Sequence, residues 1–427
     1  MHWVPGTAHP AHPACRHRPI AAPHQGHPPP TQVYDQSVTQ MNRRSLLKSA
    51  AAGLTAQGFS RAAPRKWRVC VIGHTGHGDY GHGIDLVWNS IPGAELLAVA
   101  DPVAEGAAKA AKRTGAARIY ADYREMLRKE KPDLVSICPR WADQRVEMVE
   151  AVAGAGAHIF MEKPMARNLA DADRIVAAAA RNRVKVQVAH VMHASLYVRH
   201  AARLVENGEI GTLFELRGRG KEDSRAGGED LMTLGTHIMD LFRLFAGNPT
   251  SCLAHVTQDG ADVDPSHART PTEPVGVVAG NQVNATFAFP RGVHAHFSSM
   301  ASPDTGGARF GIHIYGSRGV IFVPIQIFPS GQPSILRSAE WMPTAQRNWE
   351  PVTLPDPVPP PSPLGGQHLS NVAMVEDLLE AIQTGREPMC SEVDGRWTIE
   401  MVAAVYQSHL SGRRVPFPLP ERHSGLE

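Results

Sequence analysis

The sequence predicts an α/β fold: a doubly wound parallel sheet followed by an α+β domain with a large, mostly antiparallel sheet. Three observations carry this. From residue 67 to about 186, short apolar runs alternate with helix-length segments; strands buried on both faces read as continuous apolar runs, and helices between them imply parallel crossovers. The first run, "RVCVIG", opens into "HTGHGDYGHG", so that five glycines fall between Val71 and Gly83. After residue 190, strand-like runs follow one another without helices between them, the texture of an antiparallel sheet with helices on one face.

In chain order, "RVCVIG" (68–73) is a strand, followed by a segment of helical length to about Ser90. "AELLAVAD" (94–101) is the second strand and the alanine-rich stretch 104–115 a helix. "ARIYAD" and the helical "YREMLRKEKPD" lead to a strand at 134–139, a helix at 143–156 and a strand at 158–164. "LADADRIVAAAARNR" and "VKVQVAH" complete a cofactor-binding domain over 65–188. Residues 189–427 form a substrate and oligomerisation domain: a helix to Val205, a strand in "GEIGTLFELRGRG", helical spacing through "DLMTLGTHIMDLFRLFAG" (230–247), then successive strands. A proline-rich loop (350–366) precedes two closing amphipathic helices, and an exposed face of the antiparallel sheet is a natural surface for a homo-oligomer.

The composition, 42% hydrophobic and 20% charged over 427 residues, is that of a soluble globular protein. A formal charge of +2 gives no reason to expect nucleic acid or an anionic membrane as partner. The first forty residues hold eight prolines and six histidines, too little apolar periodicity to offset ordering entropy, and are expected to be disordered. From Met41, "MNRRSLLKSAAAGLTAQGFSRAAP" resembles a twin-arginine export signal carrying Arg43 and Arg44. That implies an exported or periplasmic protein, cytoplasmic if the signal is unused; no membrane span is expected. Residues 1–64 are thus a leader. Cys15, Cys70, Cys138, Cys252 and Cys390 show neither disulfide nor metal-ligand spacing, and no metal is expected.

Gly73 closes the first strand, and Gly76, Gly78 and Gly81 spell Gly-x-Gly-x-x-Gly three residues on. Glycines let backbone N–H groups approach a diphosphate, and the pattern follows a strand and precedes a segment of helical length, as in a Rossmann-type domain. His74 and Thr75 then neighbour the phosphates. Asp101 ends the next strand twenty residues after Gly81, where a carboxylate accepts from an adenosine ribose and repels a 2′-phosphate, favouring NAD over NADP. Pro139, Arg140 and Trp141, at the end of another strand, face the same crevice; an arginine beside an aromatic platform suits a sugar, an acidic one above all.

"FMEKPMARN", with Glu162, Lys163 and Pro164 at a strand end, resembles the Glu-Lys-Pro signature of the Gfo/Idh/MocA oxidoreductases, as do "NGEIGTL", "LGTHIMDLFRLFAG", "IYGSRGVI" and "GREP" in that order. The resemblance implies that Glu162 and Lys163 sit at the cofactor, Lys163 relaying the proton of a reacting hydroxyl while hydride moves to the nicotinamide. It makes His237 the acid/base histidine, with Asp240 one turn on to orient it. It also marks a departure: Thr233, a catalytic candidate that can hydrogen-bond a reacting hydroxyl but not accept its proton at neutral pH, stands where the family commonly has an aspartate, and Asp230, on the same helical face as His237, is the candidate replacement for the missing charge. The expected activity is NAD-dependent oxidation of a carbinol carbon in a sugar, polyol or derivative, with the cofactor tightly held. NAD-dependent glycoside cleavage on the same scaffold, or a non-catalytic sugar- or nucleotide-binding member, are the alternatives.

Overall fold

The structure, a computed structural model, describes residues 66–301, 309–325, 331–357, 359–360 and 362–427. The leader and twin-arginine signal expected over residues 1–64 lie outside the described residues.

Six parallel strands form the first sheet: β1 (Trp67–Ile72), β2 (Ala94–Ala100), β3 (Arg118–Tyr120), β4 (Leu134–Ile137), β5 (His158–Met161) and β6 (Val186–Val188). Their order, β3-β2-β1-β4-β5-β6, is that of a doubly wound sheet. The crossovers are α1 (Ala104–Thr114), α2 (Tyr123–Glu130), α3 (Arg145–Gly154) and α4 (Leu169–Asn182). β4 is buried along its whole length, as its unbroken apolar run requires.

The crossover from β1 to β2 departs from expectation. Instead of a helix, residues 74–86 make successive turns, and only a single 3-10 turn, Val87–Ser90, follows. Gly76, Gly78, Gly81 and Gly83 all have positive φ, between 65° and 83°. A right-handed helix cannot pass through left-handed residues, so the glycines that suggested a loop-to-helix motif prevent its helix.

The second sheet has ten strands. After α5 (Leu196–Glu206) come β7 (Leu213–Arg219), α6 (Gly228–Thr233), α7 (Gly235–Ala246), β8 (Ser251–Gln258), β9 (Ala261–Asp262), β10 (Gln282–Ala288), β11 (His294–Met300), β12 (Gly311–Gly316), β13 (Gly319–Pro324), β14 (Ser334–Leu336) and β15 (Glu350–Pro351). Helices α8 (His368–Thr384) and α9 (Glu392–Ser411) and the edge strand β16 (Val415–Pro416) close the chain. Pairing is antiparallel except between β7 and β11. The segment read as one helix over 230–247 is two, broken at Leu234. Glu350 and Pro351, expected in a loop, pair with β14.

Helix α9 ties the two sheets together. At Gly395 an added Cβ would lie 2.7 Å from Met165 Sδ and 2.9 Å from a Val188 methyl, so glycine is what lets the helix approach β6. Farther along, Asp173 of α4 pairs with Arg396 and Arg422, both at 2.7 Å, and each arginine also pairs with the buried Glu400. Gly395→Val is expected to lower the unfolding free energy by about 1–3 kcal/mol through overpacking, read by urea denaturation; a change within a few tenths would show the contact to be loose.

Candidate active site

The carboxyl ends of β1, β4 and β5 present three loops to the second sheet. Lys163 follows β5 and is 9% exposed. Its Nζ donates to the Thr233 carbonyl at 2.9 Å, across to the junction of α6 and α7. Burial lowers its proton affinity below the ordinary lysine value, Glu162 and Glu273 oppose that shift, and Arg225 and Arg140 reinforce it. His237, at the start of α7, is 5% exposed, and its Nδ1 is buried without a hydrogen-bond partner. Burial, and then the Lys163 charge, hold its pKa well below 6.5, so the ring is neutral at physiological pH.

Both side chains line a cavity of about 200 Å³ together with His82, Arg140, Lys221, Arg225 and Glu273. Asp223 pairs with Lys221 at 3.3 Å and with Arg225 at 2.7 Å, and Glu273 lies 3.8 Å from Arg225. Arg140 makes no ion pair among the described residues, and its Nε is buried and unpartnered. The cavity therefore holds surplus positive charge.

Glu162 does not face it. Its carboxylate is 1% exposed and accepts from the backbone N–H of His82 at 2.7 Å and of Lys163 at 3.1 Å, with His82 Nδ1 at 2.9 Å. Burial alone would raise its pKa; His82 and Lys163 outweigh it and bring it to about 2. Glu162 thus clamps the glycine loop to the end of β5, where an added Cβ at Gly81 would strike it at 2.5 Å.

Three expected catalytic roles are corrected. Asp230 is fully buried and accepts from the N–H groups of Lys221 and Glu222 and from Ser299 Oγ at 2.6 Å; the break at Leu234 turns it off the His237 face, and it braces the end of β7 against β11. Thr233 gives its hydroxyl to the Glu229 carbonyl and meets Lys163 only through its own carbonyl. Asp240 pairs with His193 Nδ1 at 3.0 Å and accepts from Cys390 Sγ at 3.5 Å; no bond joins it to His237.

The glycine loop is closed upon itself. His74 and Asp79 form an antiparallel bridge, and His74 Nδ1 lies 3.1 Å from Gln144 Oε1. The Thr75 N–H and hydroxyl, the Tyr80 hydroxyl and the Val103 N–H all donate to Asp101, which is 1% exposed. Those donors occupy the carboxylate's acceptor sites, so Asp101 has none to offer a ribose in this arrangement. The Tyr80 ring stands over Gly73, where an added Cβ would meet it at 2.2 Å. The amides of Gly73 through His77, and those of Asp79 and His82, donate within the protein. Gly78 backs onto the amides of Trp141 and Arg140, within 2.7 Å of where a Cβ would be, while Gly76 faces open space. Pro139 gives its carbonyl to Arg145. Trp141 is not a free platform: the His77 ring packs on its edge at 4.3 Å, and His77 pairs with Asp143 at 2.7 Å. As folded, the loop keeps these groups engaged within the protein, beside a cleft of about 480 Å³ lined by Thr75, Tyr80, Gly81 and Gly106.

Sequence reading missed Tyr80, His82, Arg145, Lys221, Arg225 and Glu273. Only the arginine and lysine of "GRGKEDSRAGG" carried a signal, as charges following a strand.

A Rossmann-type sheet, a second sheet beside it and a lysine and a neutral histidine converging on a cavity at the parallel strands' carboxyl ends define a two-sheet Rossmann-type scaffold with a candidate acid/base site. The chain belongs to the Gfo/Idh/MocA family. Residues 67–190 match its model described as "Oxidoreductase family, NAD-binding Rossmann fold", and residues 198–322 match the GFO/IDH/MocA C-terminal domain. D-apiose dehydrogenase of Paraburkholderia graminis is 32% identical over 177 residues, 39% of this chain and 47% of that protein. Myo-inositol 2-dehydrogenase of Thermotoga maritima is 27% identical over 164 residues, 37% of this chain and 49% of that protein. The chain spans about half the length of the curated relatives it matches. A levoglucosan dehydrogenase solved with NADH and levoglucosan shares the fold at a TM-score of 0.68 and 20% identity, covering 83% of this chain and 100% of that one.

The Glu162 clamp gives a pH test. Its pKa is 4.5 unperturbed and about 2 in the fold, so its stabilisation is complete above 4.5 and disappears as pH falls through 2. Glu162→Gln should therefore be less stable than wild type near neutral pH by roughly 1–3 kcal/mol, the gap narrowing from pH 4.5 downward. Urea unfolding across that range measures it, and a gap that does not change with pH would refute the clamp.

Proposed function

We propose that the protein is an NAD-dependent oxidoreductase acting on the carbinol carbon of a sugar or polyol bearing a carboxylate or phosphate. The observation that carries this is the cavity in which Lys163 and neutral His237 converge beside the unpaired Arg140. A partly desolvated amine of lowered proton affinity is placed to relay a hydroxyl proton, a neutral imidazole is an acceptor, and the surplus cationic charge recognises the anionic group. Bound NAD supplies the hydride acceptor. Relatives named as apiose, inositol and levoglucosan dehydrogenases support the carbohydrate class.

In this reading the loop at 73–83 opens to admit the cofactor, and Thr75 and Tyr80 release Asp101 to the ribose. The twin-arginine motif fits export of the folded protein with NAD held tightly enough to be reoxidised in place. The outer face of the second sheet, where Phe214 and Leu253 are exposed, is the surface for self-association. A second reading, a family member that binds sugars without turnover, is favoured by the closed loop.

Reduced-nicotinamide absorbance after adding neutral and acidic sugars to the purified holoprotein separates the two: saturable binding without reduction establishes the second. In the first, Lys163→Met should slow reduction by on the order of 10²–10⁴-fold while NAD stays bound, and an unchanged rate would remove Lys163 from the chemistry. Tyr80→Phe should tighten NAD binding to cofactor-stripped protein by about tenfold, because the closed loop loses a hydrogen bond to a charged acceptor. Calorimetric titration checks this; equal or weaker affinity would mean that the loop need not open.

A further inference from the structure

Behind His237, three side chains that the proposed reaction does not use meet in the interior. His190 lies two residues past β6, Asp240 is on α7, and Cys390 lies two residues before α9. One ligand atom from each lies within 4.8 Å of the other two, and their exposures are 0%, 2% and 0%. Among the described residues no other set of three such groups converges in this way.

His190 is the independent observation. Both of its ring nitrogens are buried and neither has a hydrogen-bond partner. A neutral imidazole carries one donor and one acceptor, and leaving both unanswered in the interior is costly. Asp240 and Cys390, by contrast, are already joined through the weak Sγ donor at 3.5 Å. His193 Nδ1 holds the other Asp240 oxygen at 3.0 Å, as an outer partner orients a ligating carboxylate. The Cys390 carbonyl accepts from the Val188 N–H at 2.8 Å, which fixes the cysteine beside the strand that delivers His190.

We propose that His190, Asp240 and Cys390 form a binding site for a divalent transition-metal ion, zinc by the chemistry of the set. One imidazole, one thiolate and one carboxylate match the nitrogen, sulfur and oxygen donors that zinc takes, and sulfur disfavours magnesium and calcium. Binding replaces the Sγ–H bond with a sulfur–metal bond and releases that proton to solvent, so the thiolate and the carboxylate together neutralise the ion in a buried site. The ring of His237 stands edge-on to that of His190 at 5.5 Å, next to the trio. The ion joins the end of β6, the helix carrying His237 and the start of α9, and so fixes the histidine's platform. This differs from the sequence expectation of no metal because the ligands are 50 and 150 residues apart, with no local spacing to betray them. It stands whether or not the redox reading holds.

The test uses the full chain with Cys15→Ser, which removes the leader thiol. Mass-spectrometric metal analysis after gel filtration should find zinc at about one per chain, and exchange with Co²⁺ should give a thiolate-to-cobalt band in the near ultraviolet. Cys390→Ser should abolish the band, and His190→Gln should weaken zinc affinity by about 10–100-fold or more. Metal retained at full occupancy in both variants would be held elsewhere and would overturn the proposal, as would parent protein that is metal-free and shows no band on Co²⁺ titration. Should both variants fail to fold, judged by circular dichroism, protection decides. Cys390 of the parent, assigned by peptide mapping, should resist thiol alkylation in mild denaturant at least tenfold longer with Zn²⁺ than after chelator treatment; equal rates overturn the site.

Discussion

The site depends on one buried cation, Arg145. Its guanidinium is wholly enclosed and donates to the carbonyls of Glu162 and Pro164 after β5 and of Pro139 and Trp141 after β4. Where parallel strands end, their carbonyls lose ladder partners, and a planar fork of donors answers both loops at once. Burial brings the group down to about 10, with Glu162 the leading opposing influence, so it remains charged at neutral pH. An unpaired buried charge would cost several kcal/mol, and convergent carbonyl dipoles are what offset it. Lys163 and Arg140 ride on the two loops so held, which makes the cavity's geometry a consequence of the first residue of α3.

The glycine loop shows the opposite balance. Its conformational freedom comes from four left-handed glycines, and its closed form is held by donors converging on one carboxylate, Asp101. Hydrogen bonds to a charged acceptor are worth about 1.5–3 kcal/mol each, so releasing Asp101 is the main cost of opening the loop. A diphosphate offers charge to the same amides and a ribose offers donors to the same carboxylate. Two arrangements drawing on one set of hydrogen bonds can exchange without leaving polar groups unsatisfied, and the cost of opening is deducted from the cofactor's apparent affinity.

Sequence order made the architecture legible because the signals are local. Apolar runs at β1, β2, β4 and β5 need only their neighbours in the chain to be read, and Lys163 followed from a strand-end motif. Asp230 failed because its supposed alignment with His237 assumed a continuous helix, and Leu234 breaks it. Asp240 failed because helical spacing reports a shared face and not which partner comes to that face: His193 arrives from 47 residues away. Tyr80 was invisible for a related reason, since nothing in Gly-x-Gly-x-x-Gly says that the loop's own aromatic ring will cover its first glycine. Arg145, on an otherwise apolar helix face, reads as a surface charge until the strand ends are placed around it.

Thr233 meets the cavity's lysine through its backbone and not through its side chain. Its hydroxyl turns to the Glu229 carbonyl, only its backbone carbonyl meets Lys163, and Glu162, the nearest acid in sequence, is committed to His82. Burial leads in lowering the lysine's proton affinity; Glu162 and Glu273 oppose it, and Arg225 and Arg140 reinforce it. An anion entering the cavity would reverse part of that shift, by the same Coulombic rule that makes a carboxylate raise a neighbouring amine's pKa. Arg140, which makes no ion pair among the described residues, therefore leaves the cavity with positive charge that Glu273 and Asp223, both paired with Arg225, do not answer.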